Sequence, residues 1–550
     1  MKNSVRHERK HLQILIKLLL SANIASIFLG FLYIVTGASH NKWNIFGLLL
    51  ILTLLGNVAA TLLESEHTYL DYLYYLLTIV AMVLIPIMNR SASEEVVNAT
   101  SRSITSLILF FSLFVLGIVI SNVKLQPIKK VKRMRKRPIE IRLLRMMALL
   151  IFTGLILLFG IYLTYKLLVG RSSDLVEMVL PANSLYVSII FFTLCVFVLK
   201  MLPKTLRVLR ISVMIMGLSF ALIFSLPLLS TLLTISDVES AYAKAFDKEP
   251  TKIVAPTDKQ YFSEAPFRLP DYFLGVASGD HQVQQNILYY EGKTGVDQGI
   301  KLYFDAYMPP EGKEDLPGKH AVLIRIHGGA WTAGDKGSLN RAQINKHFAS
   351  QGYVVFDVQH GLSHADQLFD SLDVPKNKVA GFTIDDMVRH VGIFTDYLAK
   401  HHEEFGANLD SVFLSGRSSG GQLANAVALG AQSRDHNVIH PNLTIKGIIS
   451  VYPAIGLSEQ AGIDGNMMLT DPGLLVKKDS PPTLIYQGTH DGFVDQSISK
   501  KFHQSYSEKA NGNSVLVLMP LAGHASNTYY PGYYNQVFIY YMERFMYQFR

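Results

Sequence analysis

The sequence predicts an all-α transmembrane bundle in its N-terminal half and an α/β domain in its C-terminal half. Three observations lead to this prediction. Residues 1–235 contain seven apolar stretches, each of about the ~20 residues that cross a bilayer. After residue 236, short β-rich runs alternate with helical patterns. The charge is divided in the same way, since residues 1–235 carry 24 Lys and Arg against 9 Asp and Glu, whereas residues 236–550 carry 27 against 34.

The composition of the 550 residues excludes several classes of protein. Hydrophobic residues make up 49% of the chain, which excludes intrinsic disorder. The excess of basic residues lies in the apolar half, so we do not expect the acidic C-terminal half to bind nucleic acid. Cys195 is the single cysteine, which excludes an intramolecular disulfide and a cysteine-rich zinc site.

The apolar stretches of the N-terminal half are nearly free of charged residues and are bounded by polar ones. A helix at the surface of a soluble core has one polar face, and these stretches have none, which indicates a lipid environment. The first stretch is too long to be a cleaved secretory signal. We therefore expect membrane spans near residues 12–36, 44–63, 69–88, 104–123, 146–168, 184–202 and 211–235.

The basic residues of the short loops indicate the orientation of the spans. They concentrate at the N-terminus, in residues 124–145 and in residues 200–210, and seven crossings place these three segments on one side. Because basic loops remain in the cytoplasm, we expect a multi-pass cell-membrane protein with a cytoplasmic N-terminus and an extracytoplasmic C-terminal domain. The basic run in 124–145 could also bind anionic lipid headgroups.

Residues 236–270 contain four prolines and are interpreted as a linker into a single domain over residues 271–550. The expected strands lie at 301–307, 321–326, 353–358, 411–414, 447–451, 483–486 and 514–518. The expected helices lie near 341–350, 384–405, 420–431, 496–510 and 532–548. Several strands are apolar throughout, as expected when both faces of a sheet are buried. This pattern predicts a mostly parallel sheet with helices on both faces.

A Gly-x-Ser-x-Gly motif with Ser418 at its centre lies between one predicted strand and the helical pattern that follows it. In this context the motif forms a strained turn that lifts the serine hydroxyl clear of the sheet. The start of the helix adds free N–H groups and the positive end of a dipole. Taken alone, such a turn could also bind phosphate or simply allow close packing. Ser418 is our candidate nucleophile.

A His-Gly-Gly-Ala-Trp sequence follows the second predicted strand of the domain. Two adjacent glycines allow main-chain N–H groups to approach a ligand, as an oxyanion hole requires. We expect the N–H groups of Gly328, Gly329 and Ser419 to form such a hole. His327 is interpreted as a residue that braces the loop, and Trp331 as part of the wall of the substrate pocket.

A serine hydroxyl needs a base to take its proton, and the base needs an orienting carboxylate. Asp491 follows a predicted strand and is the candidate acid, whereas Asp495 is expected to cap the next helix. His524 lies on a short loop after the last predicted strand and is the candidate base. His503 and His490 are weaker candidates, because one lies in a helical pattern and the other adjoins the acid.

Three further residues are candidates for the wall of the substrate pocket. His360 lies on a loop after a predicted strand. Met467 and Met468 belong to the segment 455–476, which is either a flexible flap that binds acyl groups or an ordinary crossover that packs on the core.

The order Ser418, Asp491, His524 is that of the α/β-hydrolases. With the motifs at 327–331 and 416–420, it makes residues 270–550 resemble the α/β-hydrolase esterases and lipases that carry an H-G-G motif. These are the hormone-sensitive-lipase-like and feruloyl-esterase-like carboxylesterases. The resemblance implies hydrolysis of carboxylic esters through an acyl-serine intermediate, without a metal or an organic cofactor.

The chain departs from this family pattern at three places. Ala330 stands where the lipases often have a third glycine, and Ser419 replaces the alanine that is common after the nucleophile. Gln359-His360-Gly361 replaces a typical Tyr-Arg-Leu, so the resemblance does not extend to this part of the pocket wall. The seven-span half lies outside the resemblance.

These observations predict a membrane-anchored serine hydrolase whose substrate is a lipid-like ester or an acylated component of the cell envelope. Two other hypotheses remain open at this point. The same three residues could transfer the acyl group to an alcohol other than water, or the domain could be a non-catalytic sensor on a seven-helix membrane protein. The sequence does not indicate an oligomeric state.

Overall fold

The computed structural model of the chain describes residues 2–37, 40–97, 100–127, 139–313, 315–337, 341–364 and 372–550. Most of the basic run expected to set the orientation of the spans, residues 128–138, lies outside the described residues.

Long helices form the N-terminal region. They are α1 (Lys2–Thr36), α2 (Trp43–Ala60), α3 (Thr68–Glu94), α4 (Ile104–Leu125), α5 (Ile139–Val169), α6 (Leu175–Met201), α7 (Arg207–Ile223) and α8 (Leu226–Phe246). Among the described residues, seven helical stretches are long and apolar enough to cross a membrane, with α7 and α8 counted together as one stretch. The predicted seven long apolar helical stretches are therefore present, as candidate membrane spans.

The bundle exposes large apolar side chains and buries a pair of hydrogen-bonded amides between α1 and α2. Phe28 and Phe31 are each more than two-thirds exposed, as expected for side chains that face lipid. Asn23 and Asn57 are fully buried, and each side-chain amide donates a hydrogen bond to the other at 2.7–2.8 Å. Such amide pairs hold membrane helices together where no water competes.

An eight-stranded sheet forms the centre of the C-terminal domain. Its strands are β1 (Gln282–Glu291), β2 (Lys301–Met308), β3 (Ala321–Ile326), β4 (Val354–Val358), β5 (Asn408–Arg417), β6 (Ile445–Val451), β7 (Thr483–Gly488) and β8 (Ser514–Met519). Their order is β1-β2-β4-β3-β5-β6-β7-β8. The pairs β1–β2 and β2–β4 are antiparallel, and all other pairs are parallel. The mostly parallel sheet is thus confirmed.

The remaining helices are α9 (Pro250–Ile253), α10 (Leu269–Leu274), α11 (Arg341–Ser350), α12 (Ile384–His401), α13 (Ser419–Gly430), α14 (Met467–Thr470), α15 (Gln496–Lys509) and α16 (Tyr533–Phe549). Alternate strand residues face opposite layers: Leu323 packs in the cluster of α11 and α16, whereas Val322 packs in the cluster of α12 and α13. Both faces of the sheet are covered, as predicted.

Strand β1 is absent from the sequence-based prediction. It is an edge strand whose side chains are mostly exposed, and residues 282–286 are polar apart from Val283. An edge strand that faces solvent does not need the apolar run by which the buried strands are recognised.

Residues 236–270, interpreted above as a linker, are folded against both regions. Residues 236–246 continue α8, and the Tyr242 hydroxyl donates a hydrogen bond to the Gln548 side chain of α16. The Phe267 carbonyl accepts a 2.9 Å hydrogen bond from the Asn44 side chain of α2. Directly after the segment, Asp271 of the buried helix α10 accepts a 2.6 Å hydrogen bond from the Tyr33 hydroxyl of α1. The Tyr272 carbonyl accepts another from Tyr186 of α6.

Among the described residues, the hydrogen bonds between the C-terminal domain and the bundle lie at one end of the bundle. The domain's partners there include Tyr33 near the end of α1, Asn89 near the end of α3, Arg102 just before α4 and Leu168 at the end of α5. Helix α1 begins at the opposite end. The domain therefore lies on the opposite side of the bundle from the N-terminus.

Candidate active site

The candidate catalytic residues follow three parallel strands of the sheet. Ser418 comes directly after β5, Asp491 shortly after β7, and His524 on the loop after β8. Strands β5, β6, β7 and β8 are consecutive neighbours and run in the same direction. All three residues therefore lie at one edge of the sheet, where α/β proteins place their ligands.

Ser418 occupies a sharp turn between β5 and α13. Its backbone has φ 53° and ψ −126°, a conformation that L-residues rarely adopt and that costs free energy wherever it occurs. A β-carbon at Gly416 would lie 2.0 Å from the Gly420 carbonyl oxygen, and one at Gly420 would lie 2.2 Å from that of His327. Only glycine fits at these two positions, so the motif and the turn require each other.

The glycine loop after β3 passes beside the candidate nucleophile. A β-carbon at Gly328 would lie 3.2 Å from Ser418 Cβ and 2.6 Å from the Arg417 carbonyl oxygen. Gly329 has φ 127°, which also favours glycine. Ser419 is the first residue of α13, and N–H groups at a helix start have no partner within the helix. Gly328 and Ser419, two of the three residues predicted to form the oxyanion hole, thus lie directly beside Ser418.

Asp491 and His524 are hydrogen-bonded to each other. His524 Nδ1 lies 2.9 Å from Asp491 Oδ2, and both side chains are buried. The other carboxylate oxygen, Oδ1, accepts hydrogen bonds from the main-chain N–H groups of Phe493 and Val494 at 3.0 and 2.8 Å. The carboxylate is therefore oriented by its own loop, with one oxygen directed at the imidazole.

The residues considered as weaker candidates for the acid and the base have other roles in the structure. Asp495 caps α15 by accepting a 2.9 Å hydrogen bond from the Ser497 N–H, as expected. His503 lies in α15, and its Nδ1 is 2.8 Å from the Ser514 hydroxyl. The Nε2 atom of His490 is 3.0 Å from the carbonyl oxygen of Leu168, near the end of α5.

Two aromatic rings enclose the imidazole of His524. The ring centroid of Tyr452 lies 4.4 Å from that of His524, and that of Phe493 lies 5.3 Å away. Tyr452 directly follows Val451, whose carbonyl accepts a 2.9 Å hydrogen bond from the Ser418 N–H. The end of β6 therefore contacts the serine turn, and the residue that follows it contacts the imidazole.

His327 and His360 support the glycine loop from behind. Their rings stack with centroids 4.1 Å apart, and Lys378 Nζ lies 2.8 Å from His327 Nε2. With the Lys378 ammonium as donor, His327 carries its proton on Nδ1, which lies 3.0 Å from the Gly328 carbonyl oxygen. The expected bracing role of His327 agrees with this geometry. Sequence reasoning missed Lys378, because it comes from a distant segment that carries no motif.

His360 was predicted to lie in the pocket wall, and the structure places it in this buried layer instead. Only 1% of its surface is exposed, and its two ring nitrogens face the carbonyl oxygens of Gly361 and His327. Burial, together with the nearby Lys378 ammonium, lowers the pKa of His360 from 6.5 to about 3. Its imidazole is therefore neutral at physiological pH and acts as a packing element.

The other predicted pocket residues lie near α13 and α14. Trp331 is buried, and its Nε1–H donates a 3.0 Å hydrogen bond to the Gln422 side chain of α13. Gln422 in turn donates to the Leu469 carbonyl of α14. Met467 is 69% exposed, whereas Met468 is partly buried against the core.

Comparisons with known proteins identify the family of the C-terminal domain. The model of the BD-FAE family matches residues 304–466. The C-terminal domain is an α/β-hydrolase domain of the BD-FAE esterase type. The probable carboxylic ester hydrolase LipM of Mycobacterium tuberculosis is 22% identical over 261 residues, which cover 42% of this chain and 54% of that protein. The chain thus spans about half the length of this curated relative.

Solved esterase structures are similar to part of this chain at low identity. The apo form of Thermogutta terrifontis esterase 2 is 18% identical, with a TM-score of 0.37, and the match covers 48% of this chain and 90% of that one. An inhibited esterase B from Lactobacillus rhamnosis is 19% identical, with a TM-score of 0.38, and the match covers 57% and 96%.

The family match includes part of the candidate site. Residues 304–466 of the BD-FAE domain contain the glycine loop and Ser418, whereas Asp491 and His524 lie beyond its end. The assignment of the acid and the base therefore depends on their hydrogen bond and on their place at the edge of the sheet.

Proposed function

We propose that this chain is a membrane-anchored serine hydrolase that cleaves carboxylic esters through an acyl-serine intermediate. One observation carries the proposal. Ser418 occupies a left-handed turn at the same edge of the sheet as the hydrogen-bonded pair Asp491 and His524. This arrangement contains a nucleophile, a base and an orienting carboxylate, the three groups that acyl transfer to serine requires.

In the proposed reaction, Ser418 Oγ attacks the acyl carbonyl carbon and its proton passes to Nε2 of His524. Asp491 accepts a hydrogen bond from Nδ1–H and stabilises the imidazolium that forms. The main-chain N–H groups of Gly328, Gly329 and Ser419 hold the negative oxygen of the tetrahedral intermediate. His524 then protonates the leaving alcohol, and a water molecule releases the acid from Ser418.

We further propose a lipid-like ester, or an acylated component of the envelope, as the substrate. The loop that carries Asp491 contacts the end of α5, where His490 Nε2 lies 3.0 Å from the Leu168 carbonyl. Next to this contact, Val169 and Leu175 are apolar and 53% and 65% exposed. The catalytic edge thus adjoins the lipid-facing surface, which favours an ester that remains in the membrane. Reconstituted protein should cleave such an ester faster in a bilayer than as a soluble short-chain analogue.

The BD-FAE domain is proposed to lie outside the cytoplasm. Its position opposite the N-terminus and the basic residues expected on the N-terminal side support this orientation. Cys195 is buried, so an introduced cysteine can be labelled without background. A membrane-impermeant maleimide should label Lys313→Cys in intact cells, and Lys204→Cys only after permeabilisation. The reverse pattern would contradict the proposed orientation.

The catalytic proposal is tested with a fluorophosphonate probe and an ester assay on the full-length protein. Ser418→Ala should abolish labelling and lower ester hydrolysis by about three orders of magnitude or more. Ser411→Ala is the matched control, because Ser411 lies in the first half of β5, away from the edge that carries Ser418. Near-normal hydrolysis by Ser418→Ala would refute the proposal. Free acid as the main product distinguishes a hydrolase from an acyltransferase.

A further inference from the structure

Glu177, in the first turn of α6, is a buried carboxylate at the contact between the membrane region and the catalytic loops. It is 2% exposed and accepts four main-chain hydrogen bonds. Its Oε2 accepts from Ser172 and Ser173 at 2.6 and 2.9 Å. Its Oε1 accepts from Gly492 at 2.6 Å and from His524 at 3.3 Å. One side chain thus joins the loop before α6 to both catalytic loops.

The loop between α5 and α6 contacts both sequence neighbours of Asp491. The Arg171 N–H donates a 3.1 Å hydrogen bond to the His490 carbonyl. The Ser173 hydroxyl donates a 2.7 Å hydrogen bond to the Gly492 carbonyl. Asp491 is therefore held between two residues whose main-chain carbonyls are bound by the membrane region.

The fit between Glu177 and the catalytic loops leaves no space for side chains. A β-carbon at Gly492 would lie 2.6 Å from Glu177 Oε2, and one at Gly523 would lie 2.5 Å from Glu177 Cγ. Gly492 follows Asp491, and Gly523 precedes His524. Glycine is thus required where the membrane region approaches the catalytic residues most closely.

We propose that Glu177 is a positioning residue for the catalytic pair, an inference that rests on the proposed function. Asp491 and His524 lie on loops that follow different strands, and their hydrogen bond needs both loops at a fixed separation. Glu177 sets this separation by accepting from one N–H group of each loop. Hydrogen bonds to a buried carboxylate are stronger than those between neutral groups. The membrane helices therefore complete the active site in addition to anchoring it.

The full-length protein in detergent or lipid nanodiscs provides the test. Glu177→Gln keeps the shape of the side chain, but its amide NH₂ must face one of the two pairs of N–H donors. We expect kcat per titrated active site to fall tenfold or more, with KM within threefold of wild type. Active sites are counted with the fluorophosphonate probe, so unfolded protein does not contribute to the comparison.

Tyr33→Phe is the matched control. It removes the hydrogen bond from Tyr33 to Asp271 across the same interface without touching either catalytic loop. Both kinetic parameters should stay within twofold of wild type. A Glu177→Gln variant with kcat within twofold of wild type would overturn the proposal, as would an equal loss of kcat in Tyr33→Phe.

Ser173→Ala is the second test variant, for use if Glu177→Gln does not yield folded protein. It removes only the hydrogen bond to the Gly492 carbonyl and should lower kcat two- to fivefold at unchanged KM. An unchanged kcat would show that the contact of the loop before α6 with Gly492 does not position Asp491, and would overturn the proposal that the helical region completes the active site.

Ser418→Ala separates this inference from the proposed function. If that variant hydrolyses the ester at the wild-type rate, Ser418 is not the nucleophile, whatever the activity of Glu177→Gln. An inactive Ser418→Ala beside a fully active Glu177→Gln refutes only the positioning role.

Discussion

His524 Nδ1 lies 2.9 Å from Asp491 Oδ2, although the two residues are 33 positions apart in the chain. The carboxylate also accepts hydrogen bonds from two main-chain N–H groups of its own loop, those of Phe493 and Val494, and from the Gln487 side chain. Four donors therefore surround Asp491 before any substrate binds. The orientation of His524 is set by a carboxylate that cannot turn without losing several of these hydrogen bonds.

The first prediction concerns the charge of Asp491. In Asp491→Asn, an amide oxygen that keeps the main-chain hydrogen bonds places its NH₂ group against His524 Nδ1. The imidazole must then carry its proton on Nε2, where it cannot accept one from Ser418. We expect kcat for ester hydrolysis to fall by about 10⁴-fold, as in other serine triads.

Asp495→Asn is the control for this prediction. Asp495 lies on the same loop, caps α15 and is about half exposed. Its variant should keep kcat within about twofold of wild type. An equal loss of activity in both variants would mean that the activity depends on the conformation of the loop and not on the carboxylate of Asp491.

The second prediction concerns the space beside the nucleophile. In Gly328→Ala, the added methyl would lie 2.6 Å from the Arg417 carbonyl oxygen, which belongs to the backbone and cannot move aside alone. Either the glycine loop or the serine turn must shift, and the N–H donors then miss the oxyanion. We expect kcat to fall by about 10²–10³-fold, the usual effect of losing one such donor.

Gly381→Ala tests whether any added methyl in the domain would have this effect. The nearest side-chain atom to a β-carbon there is 3.7 Å away, and its φ lies outside the left-handed region. Its activity should match wild type. If Gly328→Ala also matches wild type, the glycine loop does not contribute to the oxyanion hole.

The third prediction concerns the dependence of stability on pH. Burial, with a smaller effect of Lys378, lowers the pKa of His360 from 6.5 to about 3 in the folded protein. Between these two pH values the unfolded chain binds a proton that the folded protein does not. The free energy of unfolding should therefore decrease as the pH falls, by up to about 1.4 kcal/mol per pH unit from this residue.

His360→Phe keeps a ring stacked on His327 and removes the titration. Denaturant unfolding of the variant between pH 6.5 and 4 should show a smaller decrease of the free energy than wild type. Above pH 7 the two proteins should have parallel pH dependence. Identical slopes below pH 6.5 would show that His360 is protonated at its ordinary pKa.

Much of the architecture follows from local patterns in the sequence. Apolar stretches of bilayer length predict the seven spans, and continuous apolar runs predict the buried parallel strands. The ends of those strands then indicate where Ser418, Asp491 and His524 belong, because parallel strands end at one edge of a sheet. Strand β1 was not predicted, because an exposed edge strand carries no apolar pattern.

Contacts between distant segments were decided by the tertiary structure alone. The stacking of His360 under the glycine loop, the ammonium of Lys378 on His327 and the carboxylate of Glu177 on the catalytic loops have no local signature. Each joins segments whose separation in the chain is unrelated to their separation in space. Periodicity and motifs reflect the local strand, helix or turn to which a residue belongs. These polar contacts depend instead on which elements the completed fold brings together.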